Sequence, residues 1–391
     1  MGTARKLYLA CITTLLIGSL ASACDWSFPI WIPQSPDADA LYQFSQDGKV
    51  GFIDRTGKIV IPPDSRIPLG WTPGEFHNGL LEIGENNGDY IDATGKKVID
   101  KSFYRGWDFS EGLAVAMAKA GGKWGYIDTK GNFAISPRFS SSSTDYVWPF
   151  KNGMAMIKVA GRYGYIDHSG EFAIRPEFLD GDAFHEGFAR VVVEGPCIYS
   201  RILDENPCPD IGVVPPETKD LTHLPACKYT FIDPTGRIIS PQRYDYARNF
   251  AEGLAPVKIG KLWGYIDKTG STVIAPSFES AAPFSDKLGL VSKDGLFGYV
   301  DHTGRLVVKP QFKRAESFSD GRAVVGDDAG EWYIDATGEQ AIDETFAIAS
   351  PFFKGVAHVK LQDNTGLSEA LHQGNFVYID PAGKVIFKYK N

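Results

Sequence analysis

A short motif recurs nine times along this chain: an apolar residue, an aspartate and, three residues after the aspartate, a glycine. The aspartates are Asp54, Asp92, Asp128, Asp167, Asp233, Asp267, Asp301, Asp335 and Asp380. Their successive spacings are 38, 36, 39, 66, 34, 34, 34 and 45 residues. A period in this range is typical of repeat proteins, in which each unit is stabilised by its neighbours. The sequence therefore predicts one tandem array of similar units.

The first 23 residues are typical of an export signal. Two basic residues precede an apolar run over 7–20, which is shorter than the roughly 20 residues that span a bilayer. The run ends in Ala21-Ser22-Ala23-Cys24, where small residues fit a cleavage site and the following cysteine resembles a bacterial lipobox. We expect a signal peptide over 1–23 and a lipid anchor on Cys24, with plain secretion as the alternative.

The mature chain is acidic. Cleavage after residue 23 leaves 38 basic and 48 acidic side chains, a net charge near −10. Such a chain does not attract nucleic acid electrostatically, and we expect membrane contact only through the lipid on Cys24. Residues 24–40 contain three prolines and are interpreted as a tether. The predicted location is the periplasmic side of the bacterial cell envelope.

The repeat unit is clearest around residues 253–278. Residues 253–259 and 262–267 are two β-compatible segments joined by a tight turn, and a third short strand over 272–274 ends at Pro276. In the turn after the second strand, Asp267 is placed to accept backbone N–H groups, and Gly270 is free to adopt positive φ. Each unit is therefore predicted to be a three-stranded antiparallel meander, and the fold class all-β.

The second strand of the unit has no polar face. Trp263 and Tyr265 point to one side of the strand, and Gly264 and Ile266 point to the other. We expect neighbouring units to cover both faces and the glycine to allow close approach of an adjoining backbone or ring. One unit of about 35 residues buries too little surface to fold alone.

These strings resemble the core of the WG-repeat (KWG-type) family of bacterial exported proteins. The resemblance rests on Lys-Trp-Gly-Tyr-Ile-Asp at 123–128, Ile-x-Pro-x-Phe at 135–139 and Phe-x-x-Gly-Leu-Ala at 109–114, all of which recur. It extends over residues 41–388, although Tyr163 or Phe297 replaces the tryptophan in some copies and Trp332 replaces the glycine in another. The resemblance implies an interaction scaffold without shared catalytic residues.

The overall arrangement has two possible forms. A β-propeller commonly has four to eight blades, and nine units exceed that range. Both terminal units also have their own strands, which argues against one blade shared between the termini. We therefore predict an open, curved or superhelical array, with a closed propeller as the alternative.

One insertion interrupts the array. The repeats over 41–193 and 229–391 are separated by residues 194–228, which lack the motif and contain six prolines and three cysteines. A disulfide between Cys197 and Cys227 would close the base of this loop in an exported protein, although Cys208 leaves other pairings open. The insertion is either a tolerated surface loop or a binding loop.

Catalytic and metal-binding patterns are missing from the sequence. The histidines fall at repeat-equivalent turns, and one aspartate per unit does not supply the six to eight oxygens that calcium takes. No phosphate loop, nucleophile elbow or zinc-protease motif occurs. We predict no catalytic residues, no metal and no cofactor; an enzyme using the 194–228 insertion is the remote alternative.

The one site-like pattern is aromatic. Trp107 and Trp148 lie two residues before the Phe of Phe-x-x-Gly in successive units, and Trp71 lies close to that position in the unit before. Such rings either stack on a glycan or peptide or pack between units. The sequence predicts a non-catalytic scaffold that binds a protein partner at the cell envelope, with a glycan- or peptidoglycan-binding module as the alternative.

Overall fold

The computed structural model describes residues 40–64, 67, 76–83, 88–142, 145–194, 227–362 and 376–388. Within these ranges the chain forms 31 strands and no helix, so the predicted all-β class is confirmed. Accordingly, none of the described segments is a helix long and apolar enough to cross a membrane. The signal peptide, the lipidation site at Cys24, Trp71 and most of the 194–228 insertion lie outside the described residues.

The strands follow the repeat. The first four units contain β1 (Tyr42–Gln46), β2 (Lys49–Ile53), β3 (Ile59–Asp64), β4 (Leu80–Ile83), β5 (Asp89–Asp92), β6 (Arg105–Gly106), β7 (Leu113–Met117), β8 (Trp124–Asp128), β9 (Phe133–Phe139), β10 (Tyr146–Lys151), β11 (Met154–Val159), β12 (Arg162–Ile166) and β13 (Phe172–Phe178).

The strands of the remaining five units also follow the repeat. These units contain β14 (Asp180–Gly181), β15 (Ala189–Glu194), β16 (Lys228–Ile232), β17 (Tyr246–Ala247), β18 (Leu254–Ile259), β19 (Leu262–Asp267), β20 (Thr272–Phe278), β21 (Ser280–Ala281), β22 (Gly289–Lys293), β23 (Leu296–Val300), β24 (Leu306–Phe312), β25 (Arg314–Ala315), β26 (Ala323–Asp327), β27 (Gly330–Ile334), β28 (Phe346–Ala349), β29 (Ala357–Leu361), β30 (Phe376–Ile379) and β31 (Val385–Lys388). In the last two units, β25 to β31 join in one seven-stranded sheet.

The sixth unit shows how the meander is built. Its sheet has the antiparallel order β17-β18-β19-β20, so a two-residue strand precedes the three that the sequence predicts. The third predicted strand also continues past Pro276 to Phe278. Tyr265 pairs with Ile274 but Trp263 pairs with Phe278, so a bulge accommodates the proline, which has no N–H to donate.

The turn and the glycine both have the predicted local chemistry. Asp267 Oδ1 accepts the backbone N–H groups of Thr269 and Ser271 at 2.8 and 3.0 Å, and Gly270 has φ of 82°. A Cβ atom on Gly264 would lie 2.3 Å from the carbonyl oxygen of Ile274. The close approach therefore comes from the third strand of the same unit, at the bulge, and not from a neighbouring unit.

Tyrosine hydroxyls join successive units. Tyr265 in the sixth unit donates a hydrogen bond to the carbonyl oxygen of Ala282 in the seventh, at 2.8 Å. The same bond, which we call the inter-unit tyrosine bond, runs from Tyr90, Tyr126, Tyr165, Tyr299 and Tyr333 to the carbonyl oxygens of Trp107, Trp148, Asp182, Glu316 and Ser350. Phe231 replaces the tyrosine in the fifth unit. These buried hydroxyls satisfy carbonyl groups that would otherwise be desolvated at the unit boundary.

A second set of bonds joins the turns of Phe-x-x-Gly. Glu186 accepts the N–H groups of Glu252 and Gly253 in the next unit, at 2.6 and 2.9 Å. We call this the inter-unit turn bond, and Asn78, Glu111, Asn152, Glu252, Asp286 and Asp320 make it in other units. Burial acts to raise the pKa of Glu186, but the Gly253 N–H, Lys268 and the Glu252 N–H together hold it below its usual value.

The first and last units are in contact. The hydroxyl of Tyr42 in β1 donates to the carbonyl oxygen of Lys354 at 3.0 Å, and the ring of Phe44 lies 4.9 Å from that of Phe387 in β31. The two ends share no sheet, because β1, β2 and β3 form a sheet of their own. The two ends of the curved array that the sequence predicts therefore meet by side-chain packing and not by strand pairing.

Candidate binding site

The third and fourth units depart from the regular repeat in two places. The Asp92–Asp128 spacing is 36 residues instead of 34, and the two extra residues lie in the connection between β7 and β8. The Asp128–Asp167 spacing is 39, and the five extra residues lie between β9 and β10. In the regular sixth and seventh units β18 and β19 are joined by two residues, and β20 and β21 by one.

Both insertions border one cavity. Its volume is about 310 Å³, and it is lined by Tyr104, Arg105, Trp107, Met117, Gly121, Trp124, Ser141, Ser142, Asp145, Tyr146 and Val147. Gly121 belongs to the first insertion, and Ser141 and Ser142 belong to the second. The Ser141 hydroxyl donates to the carbonyl oxygen of Gly122 at 2.8 Å, which joins the two insertions across one wall.

Four aromatic side chains line the cavity. Trp107 and Trp124 form its inner part, with ring centroids 6.0 Å apart and planes at 60°. Trp124 is 7% exposed, whereas Tyr104 and Tyr146 are 45% and 43% exposed. The inner rings are thus held by the core of the third unit, and the outer two present much of their surface to solvent.

Tyr104 stands at a position that is acidic in three other units. Asp145, Asp245 and Glu279 each accept a backbone N–H group from the hairpin of their own unit, at 2.9, 2.6 and 2.9 Å. The third unit, whose β7–β8 hairpin is lengthened, has Tyr104 at this place, directly before β6. The exchange replaces a hairpin-capping carboxylate with an exposed ring beside the cavity.

The cavity also carries one group of each charge. Arg105 is exposed, and its guanidinium carbon lies 5.8 Å from the centre of the Tyr104 ring. Within the described ranges Arg105 has no ion-pair partner. Asp145 on the opposite unit holds the N–H of Ala160. Charged, hydroxyl and aromatic groups therefore converge on one concave surface, which is typical of a ligand site.

The structure separates the two described tryptophans that the sequence placed in one row. Trp107 lines the cavity, but Trp148 packs against the core of the fourth unit. The ring of Trp148 lies 5.9 Å from Tyr146 and 5.8 Å from Tyr163, so it supports the cavity from behind Tyr146. Trp71 is outside the described residues.

A family model for the WG containing repeat matches seven segments: 51–64, 90–124, 124–163, 163–195, 229–263, 263–297 and 297–328. Together these segments cover more than half of the chain. The chain belongs to the WG-repeat family. The cavity lies within the second and third matched segments, so it is a local variation of the repeat in this WG-repeat protein and not an added domain.

Two solved structures match this WG-repeat protein at low sequence identity. A eukaryotic initiation factor matches with a TM-score of 0.59 and 10% identity, over 90% of this chain and 96% of that chain. Dihydro-heme d1 dehydrogenase NirN matches with a TM-score of 0.40 and 10% identity, over 77% and 72% of the two chains. The first match shows a β-propeller-like fold and nothing about activity. No curated protein matches the sequence significantly.

The base of the 194–228 insertion is partly described. β15 and β16 are antiparallel neighbours, with Val192 opposite Tyr229, as expected if the insertion leaves and returns at one place. Cys227 is disulfide-bonded. Because Cys197 and Cys208 lie outside the described residues, the pairing with Cys197 stays a prediction.

Charged groups elsewhere in this WG-repeat protein hold units together. Arg190 is 12% exposed and donates to the carbonyl oxygen of Ala247 at 2.8 Å, while Asp182 accepts a bond from the side-chain amide of Asn249 at 2.9 Å. Burial, followed by the charge of Lys151, lowers the pKa of nearby His185 to about 4. Among the described residues, no three His, Cys, Asp or Glu side chains are placed to hold a metal ion.

Tyr104, Arg105, Trp124, Asp145 and Tyr146 are site residues that the sequence interpretation missed. Trp124 is part of the motif itself, and the equivalent Trp263 of the sixth unit is also a core residue. The signal that could have found the others is the pair of irregular spacings, 36 and 39, which fall on consecutive units.

Proposed function

We propose that this protein is a non-catalytic, exported binding scaffold of the bacterial cell envelope, and that its partner docks at the aromatic cavity of the third and fourth units. The observation that carries the proposal is the convergence of two insertions on one cavity with exposed aromatic rings. Exposed aromatic side chains with nearby polar groups are typical of binding surfaces. The regular units supply the scaffold.

The first candidate partner is a protein. Aromatic rings and arginine are over-represented among the residues that dominate protein interfaces, and Tyr104, Arg105 and Tyr146 are exposed together. The test is a cross-linked pull-down of the mature protein from its native envelope. We expect the partner to be lost with Tyr104→Ala/Tyr146→Ala and retained with Phe172→Ala, which removes a ring of equal exposure on a regular strand.

The 194–228 insertion is the competing location for the site. A variant that lacks residues 198–226, tested in the same pull-down, distinguishes the cavity from the insertion as the binding site. Retention of the partner by the deletion variant supports the cavity, and its loss assigns recognition to the insertion.

The second candidate partner is a glycan. The cavity is lined by polar as well as aromatic side chains, and such a mixed lining suits a glycan better than a purely apolar lining would. This candidate corresponds to the glycan- or peptidoglycan-binding alternative from the sequence.

Anchoring through Cys24 is a separate part of the proposal. It is supported by the small residues at 21–23 and by the cysteine that follows them. Labelling of cells with a radioactive fatty acid should mark the wild type and not Cys24→Ser. An unlabelled wild-type protein would instead be freely secreted.

A further inference from the structure

The rings of the cavity offer flat apolar surface in two orientations. Trp107 and Trp124 are inclined at 60°, and the exposed Tyr104 and Tyr146 come from the two units on either side. A sugar ring in the pyranose form has faces of C–H groups and an edge of hydroxyl groups. Its faces pack on aromatic rings, whose electron-rich surfaces attract the slightly positive hydrogens.

The polar groups at the cavity suit the hydroxyl edge. Arg105 donates N–H groups, Asp145 is an acceptor, and Ser141 and Ser142 carry hydroxyls. One basic and one acidic side chain give the cavity no large net charge, in contrast to the acidic chain as a whole. A neutral ligand with both donors and acceptors is therefore matched better than a strongly charged one.

The size of the cavity limits what enters it. A volume of 310 Å³ has room for about ten water molecules at the density of the liquid. It lies at the lower end of the range for small-molecule sites, roughly 300–1,000 Å³. A short stretch of a glycan fits this range, whereas a folded protein surface would contact mainly the exposed Tyr104, Arg105 and Tyr146 and leave the inner rings uncovered.

We propose that the cavity between the third and fourth units binds a neutral glycan, with a pyranose ring stacked among Tyr104, Trp107 and Tyr146 and its hydroxyls bonded to Arg105 and Asp145. This inference rests on the proposed function, because it names the ligand class of the same site. The regular strands of the third unit position Trp107 and Trp124, and the two insertions form the outer walls of the cavity.

The experiment is calorimetric titration of the mature protein with two probes: chitotetraose and soluble glycan strands released from peptidoglycan. Tryptophan fluorescence is a second readout, since Trp107 and Trp124 line the cavity. We expect saturable binding of chitotetraose, which is neutral, with a change in emission, and weaker binding of the peptidoglycan strands, whose muramic acid units carry carboxylates. Tyr104→Ala/Tyr146→Ala should weaken binding at least about tenfold, and Phe172→Ala should leave it unchanged.

Arg105 gives a finer test. Arg105→Ala should weaken binding while Arg105→Lys retains part of it, because lysine keeps donors but loses the planar geometry of the guanidinium.

Three results would overturn the inference. Neither probe binds at millimolar concentration, or binding is the same in the Tyr104→Ala/Tyr146→Ala variant, or a protein partner captured from the envelope depends on the cavity while both glycans fail. The third result leaves the proposed function standing and removes only the glycan. If neither a glycan nor a protein depends on these tyrosines, the proposed function fails as well.

Discussion

The same repeat gives different results in two regions of the molecule: a closed core in the sixth and seventh units, and a cavity in the third and fourth units. In the former, Trp263 is 7% exposed and is enclosed by a hairpin of minimal length. In the latter, Trp124 has the same exposure and the same strand position, but a longer hairpin and a longer connection open a cavity beside it. The motif residues are therefore structural in both regions, and the insertions around them make the difference.

This contrast explains why repetition alone does not reveal a site. The bonds of the motif, such as those of Asp267 to its turn and Tyr265 to Ala282, satisfy backbone groups inside the array. A unit that keeps these bonds has few side chains left for a ligand. A unit that adds residues between strands can present them without losing the bonds.

The largest expected effect is on the regular core. Trp263→Ala removes a buried ring and should lower the free energy of unfolding by about 3–5 kcal/mol. Trp107→Ala should cost less, because Trp107 is only partly buried and borders a cavity instead of packed core on one side. Denaturant unfolding of both variants measures the difference. A larger loss for Trp107 would mean that the cavity ring is a core residue.

A histidine in the ninth unit should make the stability of the protein depend on pH, in contrast to the equivalent leucine of the regular seventh unit. His358 stands where the seventh unit has Leu290, and burial lowers its pKa from 6.5 to about 4. The unfolded chain then binds more protons between pH 6.5 and 4, so stability falls as the pH is lowered through this window. The contribution is of the order of 2–3 kcal/mol.

His358→Leu should remove this dependence. Thermal unfolding from pH 7.5 to pH 4 measures the stability of both proteins. As the pH falls, the variant should become more stable relative to the wild type. A constant difference across the window would show that His358 is not buried in its neutral form.

The inter-unit turn bond should contribute less. Glu186→Ala removes the acceptor of the Glu252 and Gly253 N–H groups and should cost about 1–1.5 kcal/mol, because both bonds lie at the surface where water can replace the carboxylate. Glu171→Ala is the matched control, since Glu171 is 74% exposed in its pair with Arg138 and should contribute less than about 1 kcal/mol. Equal losses in urea unfolding would remove the special role of the turn.

The inter-unit tyrosine bond gives the smallest effect. Tyr265→Phe deletes one hydroxyl and should cost about 1 kcal/mol, since the carbonyl of Ala282 loses its partner. The fifth unit already carries Phe231 at this position, so the ring itself should be tolerated. No change in unfolding midpoint would indicate that water replaces the hydroxyl.

Much of the fold could be predicted because it follows from local rules. The Asp267 turn, the two buried faces of the Trp263 strand and the antiparallel order all follow from residue type and period. The bulge at Pro276 could not, because it depends on the exact register of β19 and β20. The contact of Tyr42 with Lys354 could not, because it depends on how distant segments pack.

The site was only partly visible in the sequence for the same reason. Trp107 could be named from its place in the motif, but Tyr104 and Tyr146 belong to different units and come together only through the two insertions. Trp148 shows the opposite case. It has the same place in the motif as Trp107, but it packs against Tyr146 and does not line the cavity.

The central claim is that recognition lies where the repeat is irregular and not in its regular units. The most direct measurement is retention of solubilised native envelope components, glycan and protein together, on immobilised mature protein. We predict that Tyr104→Ala/Tyr146→Ala loses the bound material and that Val273→Ala/Leu306→Ala, which removes two exposed apolar side chains from the regular sixth and seventh units, retains it. Full retention by the first variant, or loss by the second, would contradict the claim.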